Sequence, residues 1–317
     1  ARKGVLTQTR RHSFIASLLG IKHIVLAVNK MDLVDYDEAV LTRIEAEYRE
    51  FARDFGFTDI TSIPLSALKG DNIITRSDST PWYTGPSLMQ HLETVQVDDA
   101  AQAGNFRMSV QWVNRPNLDF RGFSGTIASG TVRPGDAVKV LPSARESTVK
   151  SIVTYDGDLA EAVAGEAVTI TLNDEIDISR GDIIAGKDHP PEVADQFEAN
   201  IIWMAEDALL PGRPYLIKTG NQTVPGQVTD LKHKVNVNTM ERTAAKKLEL
   251  NEIGVCNISL DKRIAFEAYA DVPELGSFII IDRLTNSTVG VGMISFALRR
   301  ASNIHWQALD VDKTVRA

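Results

Sequence analysis

Three polar residues follow a short apolar run near the start of the chain. Residues 24–28 are all apolar, and the run ends in Asn29-Lys30-Met31-Asp32. An uninterrupted apolar run of this length is typical of a central parallel strand whose two faces are covered by helices. Because ligands of open α/β sheets bind at the carboxyl ends of the strands, we expect Asn29, Lys30 and Asp32 to contact a ligand.

The types and spacing of these residues suit a guanine base. The Asp32 carboxylate can accept hydrogen bonds from the ring N1–H and the exocyclic amine, a pair of donors that adenine lacks. A hydrogen bond to a charged group contributes about 1.5–3 kcal/mol, so this contact would discriminate between bases. The Asn29 amide can meet O6 and N7, and the Lys30 stem can lie across the ring. On these four residues alone, an aspartate that simply caps the turn after a strand stays an alternative.

A second short apolar strand, predicted over residues 63–68, ends in Ser66-Ala67-Leu68. Together, Asn-Lys-x-Asp and this Ser-Ala-Leu segment resemble the two guanine-specificity elements of GTPases. The resemblance implies that the backbone N–H of Ala67 faces guanine O6, within a loop that Ser66 and Leu68 complete.

The surrounding pattern predicts an α/β unit. Residues 6–19 indicate a helix with one apolar face. A second helix is expected to begin at Asp35-x-x-Glu38, which resembles a capping box, and residues 87–95 predict a third. The order helix, strand, helix, strand, helix over residues 1–97 is that of an α/β domain. The resemblance to GTPases implies that it is the C-terminal part of a P-loop GTPase domain.

From residue 106 the pattern changes to short β-rich runs between glycines and prolines. The predicted strands are residues 106–113, 125–128, 130–132, 137–141, 148–153 and 167–172, and, after Pro190-Pro191, residues 198–204, 215–218, 226–234, 254–260 and 277–282. This spacing predicts two β-barrel domains. We expect them at residues 104–190 and 191–296, joined to the α/β unit by a linker at 98–105 and followed by a tail or linker at 297–317.

Composition argues against several functional classes. The formal net charge of −8 disfavours a general nucleic-acid binder. Cys256 is the single cysteine, which fits a reducing, cytoplasmic compartment, and its apolar surroundings predict a buried side chain and not a nucleophile. The sequence contains no run of about 18 apolar residues, so no membrane-spanning helix is predicted. The six histidines show no metal-ligand spacing, so no metal site is predicted.

An α/β GTPase unit followed by two barrels resembles the translation-factor GTPase superfamily. The segment from Arg121 to Pro142 resembles the signature of its second domain, with glycines where a small barrel turns. Other segments resemble the large GTPase subunit of bacterial sulfate adenylyltransferase; they are residues 8–23, 113–122, 173–182, 203–206 and 281–293.

This second resemblance implies a specific activity. It implies a GTPase, with GTP and GDP as ligands, whose hydrolysis of GTP is coupled to formation of adenosine 5'-phosphosulfate and pyrophosphate from ATP and sulfate. It also implies a heterodimer with a small adenylyl-transferring subunit. Residues 303–312 resemble the linker into an adenylylsulfate kinase domain. Two alternatives stay open, namely an elongation-factor-type GTPase that binds tRNA and a non-catalytic scaffold.

The sequence also departs from the family pattern. It contains no G-x-x-x-x-G-K-[ST], the loop that cradles phosphates and positions Mg²⁺. Residues 119–122 match the Asp-x-x-Gly of a switch but fall within the first predicted barrel. By the family pattern the chain is expected to begin after the fourth strand of the GTPase sheet. We therefore expect no catalytic residue among these 317 residues and no GTP turnover by this chain alone. We expect Mg²⁺ to be bound in the parent protein through residues that are absent from this sequence.

Overall fold

The fold was analysed in a computed structural model that describes residues 1–96, 103–117 and 119–298. Most of the predicted linker at 98–105 lies outside these residues. So do Leu118 and nearly all of the predicted tail, including the segment at 303–312 that resembles a linker into a kinase domain.

The α/β part has the predicted order of elements. Its elements are α1 (Thr7–Leu18), β1 (His23–Val28), a 3₁₀ turn (Met31–Val34), α2 (Glu38–Ala52), β2 (Asp59–Pro64) and α3 (Leu88–Thr94). β1 and β2 pair in parallel, with His23 opposite Asp59 at the start and Val28 opposite Pro64 at the end. The carboxyl ends of both strands therefore lie at the same edge of the sheet.

Both faces of β1 carry apolar packing, as the sequence predicts for a parallel strand. On one face Val28 packs with Leu41 of α2. On the other face Val25 packs with Ile63 and Tyr83. Val28 is nevertheless the one residue of β1 that is fully buried. Within the described residues β1 pairs along one edge with β2, and four of its residues are half-buried while Ala27 is exposed, so the prediction of a fully covered central strand is met only in part.

The start of α2 differs from the prediction. The capping-box assignment to Asp35 is wrong, because Asp35 and Tyr36 both have left-handed backbone conformations, with φ of 52° and 53°. The chain uses these two residues to turn out of the 3₁₀ segment. Asp37 is the N-cap instead, and its carboxylate accepts a hydrogen bond from the Ala39 N–H at 2.9 Å.

The first barrel is a closed antiparallel sheet. Its strands are β3 (Arg107–Ser109), β4 (Trp112–Asn114), β5 (Gly122–Ser129), β7 (Ala137–Leu141), β8 (Arg145–Thr154), β9 (Gly157–Leu159), β11 (Ala167–Leu172) and β12 (Ile183–Gly186), with β6 (Thr131–Val132) and β10 (Ala162–Val163) forming a separate ribbon. The pairing of β11 with β8 closes the ring. A core of buried aliphatic and aromatic side chains fills its interior.

The second barrel is built from longer strands. They are β13 (Glu192–Trp203), β14 (Pro214–Thr219), β15 (Gln222–Val235), β16 (Arg242–Thr243), β17 (Ile253–Phe266), β18 (Ser277–Asp282) and β19 (Thr288–Ala297), with a short helix α4 (Pro273–Gly276) before β18. Pairing of β14 with β15 closes this ring. The fold is thus an elongation-factor-Tu-like α/β unit followed by two β-barrels, as predicted.

Some strand predictions are wrong in detail. The single strand predicted at 106–113 is two strands, because the chain changes partners between them. The Val110 N–H donates to the Asp182 carbonyl at 2.9 Å, whereas the next N–H, from Gln111, donates to the Ser124 carbonyl at 2.8 Å. The strands β9, β10, β12, β16 and β19 were not predicted, since most are short and β19 carries two glycines.

The second barrel contacts both the α/β part and the first barrel. The apolar face of α1, formed by Phe14, Ile15 and Leu18, packs against the second barrel. The two barrels share a second cluster, in which Val272 and Leu275 of the second barrel pack on Ala128, Leu141, Ile183 and Ala185 of the first. No helix in the described part of the chain is long and apolar enough to cross a bilayer.

Candidate nucleotide-binding site

The two predicted base-contacting loops leave the sheet side by side. The hydrogen-bond ladder of β1 and β2 continues one step past the strands, since the Leu65 N–H donates to the Val28 carbonyl at 3.1 Å and the Met31 N–H donates to the Leu65 carbonyl at 3.2 Å. This extension fixes the register of both loops as they turn away from the sheet. The structure therefore brings the Asn29–Asp32 and Ser66–Leu68 segments together.

Asn29 joins the two loops directly. Its side-chain oxygen accepts hydrogen bonds from two backbone groups, the Lys30 N–H at 2.6 Å and the Ala67 N–H at 3.0 Å. The Ala67 N–H, which the resemblance directs toward guanine O6, thus has a protein partner in this structure. An amide oxygen offers two lone pairs, so both are used here and the NH₂ group of Asn29 is left to face acceptors on a base.

Lys30 and Asp32 lie on the first loop with their side chains accessible. Lys30 has a left-handed backbone with φ of 65°, and its side chain is exposed. Asp32 lies in the first turn of the 3₁₀ segment and is half-buried. Within the described residues, no hydrogen bond to the Asp32 carboxylate is formed. Its oxygens are therefore available to a ligand.

The second loop is closed at its base and open at its tip. Ser66 is buried, and its hydroxyl accepts a hydrogen bond from the Lys69 N–H at 3.3 Å. Paired backbone bonds between Ser66 and Asp71, at 3.2 and 3.3 Å, close the loop. The Leu68 side chain at the tip is 89% exposed, so it is free to cover the face of a bound base. Residues 66–68 form a turn and not the end of a strand, because β2 ends at Pro64.

A second connection between the loops was not predicted from the sequence. The Tyr36 hydroxyl donates to one carboxylate oxygen of Asp71, and the Ser77 hydroxyl donates to the other at 2.6 Å. Hydrogen bonds from Ser77 and then Tyr36 hold the pKa of Asp71 below its ordinary value. The bond to Asp71, assisted by burial and neighbouring negative charge, raises the pKa of Tyr36 to about 12. No recognised motif marks Tyr36 or Asp71, although each lies a few residues after one of the two predicted base-contacting segments.

A buried asparagine supports the carboxyl end of β2. The Asn72 side chain donates to the Pro64 carbonyl at 2.7 Å and to the Thr80 hydroxyl at 2.9 Å, and it accepts from the Ser77 N–H at 2.8 Å. These three bonds satisfy most of the polar capacity of a side chain with no solvent exposure. The segment that follows the second loop is thereby fixed against the strand.

A cavity of about 590 Å³ adjoins the first loop on the side of residues 1–6. Leu26, Val28, Asn29, Lys30 and Ile44 are among its lining residues, whereas Asp32 and residues 66–68 do not line it. The cavity therefore shares Asn29 and Lys30 with the candidate site and does not extend to Asp32 or to the second loop.

No metal centre accompanies the site in the described ranges, where no group of three or more histidine, cysteine, aspartate or glutamate side chains could hold an ion. Cys256 is fully buried in the second barrel, as the sequence predicts. Burial raises the pKa of its thiol to about 12.

Three family models match successive parts of the chain. The elongation factor Tu GTP binding domain matches residues 1–128, elongation factor Tu domain 2 matches residues 123–185, and the GTP-eEF1A C-terminal domain-like family matches residues 196–295. Their order is that of the α/β part, the first barrel and the second barrel.

Curated relatives match over nearly the whole chain. A bifunctional enzyme NodQ from a Rhizobium species is 59% identical over 100% of this chain and 49% of its own length. The bifunctional enzyme CysN/CysC of Xylella fastidiosa is 54% identical over 100% of this chain and 51% of its own length. Sulfate adenylyltransferase subunit 1 of Shewanella woodyi is 54% identical over 93% of this chain and 62% of its own length. The chain thus spans about half the length of the bifunctional relatives.

Among solved structures, the crystal structure of sup35 complexed with GDP aligns with a TM-score of 0.59. It covers 92% of this chain and 74% of its own, at 23% sequence identity. At this identity the alignment supports a shared fold and no more.

Proposed function

We propose that this chain is a member of the translation-factor GTPase superfamily, related to sulfate adenylyltransferase subunit 1. In this proposal the chain binds GTP and GDP through their base. One observation carries the proposal, namely the hydrogen bond from the Ala67 N–H to Asn29, which holds the two candidate loops together at the carboxyl ends of β1 and β2.

Each candidate residue has a distinct role in the proposal. The Asp32 carboxylate accepts from the N1–H and exocyclic amine of guanine, and the Asn29 NH₂ group donates to the acceptors O6 and N7. The Lys30 stem covers one face of the ring. On the other loop, Ser66 holds the turn, the Ala67 N–H is shared between the Asn29 side-chain oxygen and O6, and the exposed Leu68 side chain packs on the base. These contacts select guanine over adenine because adenine cannot supply the donors that Asp32 accepts.

The same proposal includes Mg²⁺ bound with the nucleotide phosphates. A magnesium ion in such sites neutralises charge on the β- and γ-phosphates. We assign no residue described here to the metal or the phosphates, since the candidate residues address the base alone. The chain's own contribution is therefore binding and selection of the nucleotide.

At the level of the whole protein, we propose that GTP hydrolysis supports formation of adenosine 5'-phosphosulfate and pyrophosphate from ATP and sulfate. In this scheme a separate small subunit transfers the adenylyl group, and the two form a heterodimer. A fused adenylylsulfate kinase domain, which the resemblance of residues 303–312 implies, would consume the product. The proposed compartment is the cytoplasm, where a single free cysteine stays reduced.

The test uses the intact protein with and without a purified adenylyl-transferring subunit. We expect adenosine 5'-phosphosulfate to form faster from ATP and sulfate when GTP is added than when ATP is the only nucleotide. GTP should be hydrolysed in parallel. In the same preparation, GDP should displace fluorescent GDP and ADP should not. Stimulation of GTP hydrolysis by ribosomes in place of sulfate and ATP would favour an elongation factor, and absence of guanine-nucleotide binding would favour a scaffold.

A further inference from the structure

A second link joins the two base-contacting loops of the candidate site. Tyr36 ends the turn that carries Asp32, and its backbone N–H donates to the Met31 carbonyl at 3.0 Å. Asp71 closes the other loop through its paired backbone bonds with Ser66. The hydrogen bond from the Tyr36 hydroxyl to the Asp71 carboxylate therefore spans from one loop to the other.

Both members of this link are held in place by further bonds. The second carboxylate oxygen of Asp71 accepts from the Ser77 hydroxyl at 2.6 Å. The backbone carbonyl of Tyr36 accepts from the Trp82 indole N–H at 3.0 Å. The carboxylate cannot turn away without breaking its bond to Ser77, and the Trp82 bond holds the Tyr36 backbone from which the hydroxyl extends. The link is thus supported at both of its ends.

The turn that carries Asp32 has an unfavourable backbone conformation. Lys30, Asp35 and Tyr36 all have positive φ, at 65°, 52° and 53°. Residues other than glycine rarely adopt this region, and they keep it where the surrounding structure holds them there. The Tyr36 side chain is anchored to Asp71 at one end of this turn, while the Ala67–Asn29 bond anchors the other end.

We propose that Tyr36 and Asp71 form a positioning pair that sets the place of Asp32 relative to Ala67, and with it the preference for guanine over bases that lack the exocyclic amine. The inference rests on the proposed function, since it concerns the same base site. Neither side chain contacts the base in this scheme. Both act through the turn that presents the Asp32 carboxylate, so they are positioning residues and not binding residues.

The test compares GDP with inosine diphosphate, which differs from GDP by lacking the exocyclic amine. Competition against fluorescent GDP gives both dissociation constants for the intact protein and for Tyr36→Phe and Asp71→Ala, since alanine leaves no acceptor for the Tyr36 hydroxyl. The wild-type protein should prefer GDP by about tenfold or more, as expected for one hydrogen bond to a charged group. In each variant we expect the GDP affinity to fall about tenfold and the affinity for inosine diphosphate to fall less, because inosine has only its N1–H contact with Asp32 to lose.

Two variants serve as matched controls. Tyr83→Phe removes a hydroxyl that donates to the Pro86 carbonyl at 2.9 Å, away from the loops. Asp78→Asn removes an exposed carboxylate from the neighbouring turn. Both should retain the wild-type preference. The double variant Tyr36→Phe/Asp71→Ala should be no weaker than the weaker single variant, because both single changes already remove the same hydrogen bond.

The outcomes separate this inference from the function on which it rests. Wild-type preference for GDP in Tyr36→Phe and Asp71→Ala would overturn the positioning role, as would equal weakening of both nucleotides. Additive effects in the double variant would also contradict a shared bond. In contrast, failure of the proposed function would appear in the wild-type protein, as binding that does not distinguish GDP from ADP.

Discussion

Asn29 illustrates how one side chain can organise a site before any ligand arrives. Its amide oxygen accepts from the backbone of its own loop and from the Ala67 N–H of the next. With that oxygen saturated, the NH₂ group has no alternative orientation that keeps both bonds. The donors presented to a base are therefore fixed by the protein, which lowers the conformational cost of binding.

Asp32 carries the strongest prediction at the scale of single residues. We expect Asp32→Asn to weaken GTP and GDP and to favour xanthosine nucleotides, because an amide can donate to the 2-oxo group of xanthine but cannot accept from both guanine donors. Sites that leave buried polar groups unpaired discriminate by about 10⁴-fold, which sets the scale of the switch. Competition binding with guanosine and xanthosine diphosphates measures it.

Asp35→Asn is the control for that substitution. It removes the same charge from the same turn, and asparagine tolerates the left-handed conformation found there. It should leave the choice of base unchanged. An Asp32→Asn protein with equal affinity for both nucleotides would contradict the role assigned to Asp32.

The thiol of Cys256 allows a test of burial and pH dependence. Because burial raises its pKa to about 12, very little thiolate forms in the folded protein at pH 8. We expect a thiol reagent to label it slowly in buffer and promptly in urea. The thiol of the unfolded chain loses its proton above a pKa of about 9, whereas the folded protein keeps this proton up to a pKa of about 12. The contribution to stability is therefore intact at pH 8 and is lost as the pH rises from about 9 through about 12. Prompt labelling without urea would contradict a closed second barrel.

Among structural elements, those with strong local signals were predictable. The runs at 137–141, 167–172 and 277–282 coincide with β7, β11 and β18, because alternating apolar residues between turn residues determine a strand locally. The six candidate base-contacting residues were predictable for the same reason, since each belongs to a short contiguous motif. Their roles toward a base stay predictions.

Features that depend on distant partners were not predictable. Tyr36 and Asp71 lie 35 residues apart, so no local pattern relates them. β19 was missed because Gly290 and Gly292 weaken a strand signal. Its packing explains the second glycine, since a Cβ added at Gly292 would lie 2.0 Å from the Phe278 ring. The close approach of two strands thus selects a residue that disfavours strands in isolation.

The helix α1 gives a prediction at the scale of elements. Leu18 is half-buried on the face that packs on the second barrel, so Leu18→Ala should cost about 1–2 kcal/mol of stability, less than a fully buried leucine. Urea unfolding measures the loss. Leu92→Ala on α3, where the side chain is 55% exposed, should change stability by about 0.5 kcal/mol or less. Equal losses in the two variants would show that α1 is not docked on the barrel.

For the whole molecule, a buried ion pair fixes the two barrels to each other. The Arg107 guanidinium in the first barrel donates to the Glu267 carboxylate in the second at 2.6 Å, and the arginine side chain is 4% exposed. The same guanidinium also donates to the Phe106 carbonyl at 2.9 Å. Together with the apolar cluster around Val272 and Leu275, this pair makes the barrels one unit.

Removing one partner of this pair should be costly. We expect Glu267→Ala to destabilise the protein by about 3–5 kcal/mol, because it leaves the buried Arg107 charge without its partner. Denaturant unfolding measures the loss. Arg107→Met combined with Glu267→Leu should recover most of it, since neither charge is then buried.

An exposed pair provides the comparison. Glu161 bonds Arg133 with side chains 46% and 61% exposed, so Glu161→Ala should cost less than about 1 kcal/mol. A similar cost for Glu161→Ala and Glu267→Ala would show that the pair between the barrels is hydrated and does not fix their arrangement.

The position of α1 has a consequence for communication across the molecule. The helix touches α2 through the bond between Ser13 and Tyr48, and it touches the second barrel through Ile15 and Leu18. A molecule that binds the barrels and shifts α1 would change the affinity of the candidate site at the loops after β1 for its ligand. Because thermodynamic linkage is reciprocal, the ligand of that site would change the affinity of the barrels for the molecule by the same factor. The docked helix thus connects the α/β part to the second barrel, and a shift of α1 is the means by which such coupling would act.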